Sequence, residues 1–128
     1  MAEFSDFMEN KIIDHMLRNQ AYTPPATVYV ALYTDDPTDA DTGTEVSGGS
    51  YARQSVTLSA ASAGATSNSA DITFPTATAD WGTITHVGLR DASTGGNLLM
   101  HSALDASKTV NNGDTFKINA GDLDITVT

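Results

Sequence analysis

The sequence predicts a mainly β protein: an antiparallel β-sandwich or barrel-like domain of seven to eight short strands, preceded by one α-helix. Three observations carry this. From residue 27 onward apolar residues alternate with a period of two. Clusters of Gly, Asp, Asn and Ser separate the alternating runs. Only residues 5–20 show a helical period. At 128 residues the chain is sized for one structural domain, read as an N-terminal helix or arm at 1–24 and a sandwich at 25–128.

The helix is marked by Asp6 with Glu9 three residues on, a capping-box variant, with Ser5 as the other candidate cap. Met8, Ile12 and Met16 form one i, i+4 row, and Ile13 with Leu17 a second. Thr23-Pro24-Pro25 cannot continue a helix. Such a helix either packs on an open sheet face or serves as an arm that docks on a neighbouring subunit.

In 27–34, Val28, Val30 and Leu32 share one face and Tyr29, Ala31 and Tyr33 the other, so this strand is expected to be central and covered on both sides. An acidic, turn-rich loop follows, with Asp35, Asp36, Asp39, Asp41 and Gly43. It is expected to be an exposed surface that meets a neighbour or solvent. In 51–58, Ala52, Val56 and Leu58 are expected to face inward, and Tyr51, Arg53, Ser55 and Thr57 outward. Arg53 is expected to pair with a carboxylate. Residues 59–69 are low in complexity and read as a loop. Further strands are expected at 70–74, 83–90, 98–103, 116–120 and 123–127, with turns at 91–97, 111–114 and 121–122.

Sixteen acidic residues against six basic ones give a formal charge of −10. Nucleic-acid binding rests on Lys and Arg neutralising phosphates, so neither nucleic acid nor an anionic membrane is an expected partner. Without Cys, disulfides and thiolate chemistry are excluded. No apolar run approaches the roughly 20 residues of a membrane span, and no signal peptide is expected.

Sites of chemistry are sparse. Asp39-x-Asp41-x-Gly43 suggests calcium but does not complete an EF-hand loop, and Asp-rich turns are ordinary. His86 and His101 flank the 91–97 turn and could meet across a hairpin, holding a metal with Asp91; as strand residues they would simply be hydrogen-bonded. No Gly-x-Ser-x-Gly elbow or phosphate loop is present. Tyr22, Tyr29, Tyr33, Tyr51 and Trp81 could serve a glycan platform, or the core and subunit contacts. The expectation is a non-enzymatic protein with no catalytic residues, metal or cofactor.

Co-linear blocks along nearly the whole chain carry a resemblance. They are Tyr22-Thr23-Pro24-Pro25 running into Val28-Tyr29-Val30-Ala31-Leu32-Tyr33, then Asp36-Pro37-Thr38, then Gly43-Thr44-Glu45-Val46-Ser47-Gly48-Gly49-Ser50-Tyr51-Ala52-Arg53. Ile72-Thr73-Phe74-Pro75, Trp81-Gly82-Thr83-Ile84-Thr85-His86-Val87-Gly88-Leu89, Asp91-Ala92-Ser93-Thr94-Gly95-Gly96-Asn97 and Ala120-Gly121-Asp122-Leu123 follow. The chain resembles a family of small tailed-bacteriophage virion proteins, variously labelled capsid decoration (cement), tail fibre or minor tail proteins. The resemblance implies a structural role: in first place a capsid decoration protein bridging major capsid subunits on the outer shell, with a tail-fibre or tail-tip subunit as the runner-up. A receptor- or glycan-binding module is the reading from a different class. The implied partners are a second copy of the chain, with a trimer as the natural symmetric form, and the phage major capsid protein. The implied location is the virion, after synthesis in the bacterial cytoplasm. Candidate interface residues are Phe4, Phe7, Met8 and Ile12 on the arm, with Tyr33, Asp35, Asp36, Tyr51 and Arg53 around the loop.

Overall fold

The computed structural model describes residues 2–127. The elements in chain order are β1 (Glu3–Phe4), α1 (Asp6–Leu17), β2 (Val28–Tyr33), β3 (Gln54–Val56), β4 (Ala65–Ser67), β5 (Ile72–Thr73), β6 (Gly82–Arg90), β7 (Leu98–Val110), β8 (Lys117–Ile118) and β9 (Asp124–Thr126). Among the described residues there are thus nine strands rather than seven or eight. All pairings are antiparallel. A five-stranded sheet runs in the order β1-β7-β6-β2-β3, and β4-β9 and β5-β8 form two-stranded ribbons. The barrel-like form is not realised: β1 and β3 remain edges of the wide sheet, so it does not close.

Register decides which residues meet. Phe4 lies opposite Met100, Met100 opposite Leu89, and Leu89 opposite Val30. This row points into the core, where it joins Leu32, Ile84 and Val87 from the sheet and Ile72, Phe74, Phe116 and Ile125 from the ribbons and their flanks. The next row, Glu3, His101, Gly88 and Ala31, belongs to the opposite face. Both faces of β2 are covered, as its two apolar rows predict. Gly88 leaves room for Tyr33: a Cβ there would stand 2.8 Å from the tyrosine ring and from Leu98.

Three local expectations are revised. Tyr51 turns inward, stacking on Phe74 at 6.1 Å and meeting Trp81 edge-on at 5.4 Å, whereas Ala52 is exposed. The alternation fails because regular strand begins only at Gln54, after a bend in which Gly48, Gly49 and Ser50 all take positive φ. The low-complexity stretch contains β4, held by pairing with β9. β7 continues to Val110 because its distal half pairs with the start of β6, Gly82 opposite Val110.

The helix is shorter than the 5–20 expected. Ser5 is its N-cap, accepting from the Met8 N–H at 3.2 Å. Ser5 is buried; its hydroxyl also donates to the Leu98 carbonyl and its N–H to the Leu99 carbonyl. These bonds fix the helix entry to the start of β7.

Candidate functional site

Two features stand out: a polar lid on the second face of the wide sheet, and an apolar helix end left in solvent.

The lid is the acidic loop, 35–43. Its side chains do not converge as a calcium site would require. The Asp35 carboxylate accepts from the Thr44 N–H at 2.6 Å and the Thr44 hydroxyl at 3.1 Å. Asp36 Oδ1 accepts from the Thr38 N–H at 2.9 Å, an Asx turn. Asp39 Oδ1 reaches His101 Nε2 at 2.7 Å. Asp41 forms a bidentate pair with Arg90 at 2.8 and 2.9 Å. Pro37 is fully buried beneath the loop, so the expected exposed surface is in part an inward-packed structure. Thr38 and Asp41 hold φ near +60°, a strained conformation for non-glycine residues that the surrounding bonds maintain.

Arg90 is buried in the sheet, and its guanidinium also donates to the Tyr33 hydroxyl at 3.0 Å and the Gly96 carbonyl at 3.0 Å. Its Nε is buried without a hydrogen-bond partner. Arg53 pairs with Glu45 through two bonds, 2.8 and 2.7 Å, and donates to the Ala92 and Gly95 carbonyls of the 91–97 turn. The Tyr51 hydroxyl donates to Glu45 at 2.7 Å and accepts from the Leu32 N–H at 3.0 Å. Burial pulls the Glu45 carboxyl upward, but the Arg53 and Tyr51 hydrogen bonds and the Arg53 charge outweigh it, leaving its pKa below the ordinary value. Burial and then the Glu45 hydrogen bond push the Tyr51 phenol well above its ordinary range.

Tyr33, Tyr51 and Arg53 therefore spend their polar groups within their own chain. Tyr33, Tyr51 and Trp81 are largely interior and do not form an exposed aromatic platform. His86 and His101 share a face but are not opposite one another: His86 faces Ala103 and His101 faces Gly88. His86 Nδ1 lies 2.8 Å from the Thr85 hydroxyl. Asp91 does not join them; it accepts from the Asn97 N–H and side chain inside its own turn.

The helix is the second feature. Phe4, Phe7 and Met8 are half-buried and pack against the core. Lys11 Nζ lies 5.6 Å from the Phe7 ring, and Tyr22 meets the same ring edge-on. Beyond this turn the apolar rows leave the body. Ile12 is 37% exposed, Ile13 49%, Met16 69% and Leu17 79%. The two i, i+4 rows legible in the sequence continue to the helix end without a partner among the described residues, and no helix is long and apolar enough to cross a membrane.

Sequence reasoning missed Arg90, Glu45 and Glu3. The signal for Arg90 is a lone cation at the end of an apolar strand, which needs anionic company if it is buried.

Over residues 3–126 the sequence matches the family model described as podophage GP4 fiber I protein gp80. A comparison with curated proteins gives no match.

Proposed function

The chain belongs to the podophage GP4 fiber I family and is a phage structural protein, and from that premise we propose that it is a tail-fibre module that assembles with its neighbours through the distal half of α1. The observation that carries the assembly mode is the exposed apolar row Ile13, Met16 and Leu17 at the end of a helix whose other end is bonded to the domain. Large side chains exposed together are the mark of a contact surface. The natural occupant is a second copy of the chain, with closed symmetry hiding each helix end. The role is structural rather than catalytic.

The double variant Met16→Asp, Leu17→Asp tests this by sedimentation velocity. The wild type is expected to sediment as an oligomer and the variant as a monomer with an unchanged melting temperature, since neither side chain is buried in its own domain. A wild type that stays monomeric at high concentration, or a variant that assembles like it, would refute the assembly mode.

Capsid decoration is a second reading. It is favoured by the single packed core, with no repeating shaft in the described residues. Copy number separates the two: few copies on fibres, or many over the shell.

A further inference from the structure

We propose that Glu3, Asp39 and His101 form a binding site for a divalent first-row transition-metal ion, which ties the N-terminal strand and the acidic loop to the central β6–β7 hairpin. The three ligand atoms lie within 4.8 Å of one another. Each comes from a different element. Glu3 and His101 are direct partners in the β1–β7 register, so both side chains stand on the same face. Asp39 arrives from the loop, where its carbonyl accepts from the Asp6 N–H at 2.9 Å. His101 is the fixed member: its side chain is 4% exposed.

The geometry is close to that of ligation. His101 Nε2 stands 2.7 Å from Asp39 Oδ1 and 3.9 Å from Glu3 Oε2. Ligands held at about 2.0–2.2 Å around one zinc ion sit roughly 3–3.5 Å apart. The Asp39 contact has to open slightly and Glu3 to close slightly. Glu3 is 66% exposed and can swing.

A second carboxylate stands near the other ring nitrogen: Asp36 Oδ1 lies 3.7 Å from His101 Nδ1, longer than a hydrogen bond, and would have to close by about 1 Å to orient the ring. Carboxylates on the far nitrogen set the tautomer and raise the basicity of metal-binding histidines. A cleft of about 310 Å³ beside the site is lined by Glu3, Asp36, His86, His101 and Asp105 but not by Asp39, and it contains no Lys or Arg. One imidazole nitrogen with two carboxylates suits zinc or a neighbouring ion, with water completing the shell. Calcium, which takes six to eight oxygens, is not matched.

The test is isothermal titration of the tag-free, EDTA-dialysed full chain with ZnCl₂, and with CaCl₂ in parallel, together with thermal melting. The expected result is saturable 1:1 zinc binding that raises the melting temperature, with no calcium response. Glu3→Gln and Asp39→Asn, both at solvent-accessible positions, should weaken binding about tenfold or more, and Asp36→Asn by about tenfold with 1:1 stoichiometry retained. Absent saturable zinc binding, or affinity equal to wild type in both Glu3→Gln and Asp39→Asn, overturns the site. The result does not depend on how the helix end assembles.

Discussion

Arg53 ties the loop side of the domain together. Its side chain is 8% exposed, that of Glu45 23%, and four bonds tie it to two separate segments, Glu45 and the 91–97 turn. Removing one partner of such a pair strands the other charge, at a cost of about 3 kcal/mol. Arg53→Ala should lower stability in urea by that order. It should leave sedimentation unchanged, because the partner carboxylate is on the same chain. The same pair predicts an acid dependence. The folded-state pKa of Glu45 lies below its ordinary value of 4.5, so its contribution is complete above that value and is lost as pH falls through the folded-state pKa. Melting temperature measured from pH 7 downward should fall in this acid window, and less so in Glu45→Gln, whose starting stability is already reduced. That Arg53 needs a carboxylate was legible in the sequence. Which carboxylate was not, since seven residues of irregular chain separate it from Glu45 and periodicity carries no information about turns. For Arg90 the sequence signals only a cation ending an apolar strand; its partner Asp41 lies in a loop whose return over the sheet periodicity does not show.

The acidic loop shows the same limit at the scale of an element. Composition marked it as a turn-rich loop, and its Asp residues do make turns. What composition could not reveal is the burial of Pro37, which turns an exposed connection into a lid. Gly43 makes that packing possible: a Cβ there would stand 2.5 Å from Pro37 Cα and 2.9 Å from Pro37 N, and backbone cannot swing aside as a flexible side chain would. Gly43→Ala is therefore expected to destabilise the domain by about 1–3 kcal/mol, the usual cost of overpacking, read from urea denaturation; wild-type stability would show that Gly43 is not packed against Pro37. The strands show where patterning works. β2 and the second half of β6 bury their side chains strongly; the extents of both strands were legible, and for β2 the two faces as well. β4 is made of small and polar residues and the distal half of β7 is mostly exposed; both exist through backbone pairing, which leaves little apolar pattern to read. The helix was legible both in its existence and in its two apolar rows. The sequence does not tell which part of those rows its own core would cover.

For the whole molecule, assembly opposes charge. A formal charge of −10 makes copies repel, so the proposed apolar contact at the helix end would have to overcome that repulsion, and added salt should favour it. The division of labour along α1 fits this requirement. Ser5, Phe7 and Met8 hold the helix to the domain, while Ile13, Met16 and Leu17 face outward. A fibre module needs both: a rigid body that keeps its shape and a surface that is complete only beside another subunit. The most direct test is a density map of the intact phage particle at side-chain resolution. The account predicts the nine-stranded module within a tail fibre, with Met16 and Leu17 buried against a neighbouring subunit. The same module spread over the capsid shell, or a fibre module whose helix end lies bare in solvent, would contradict it.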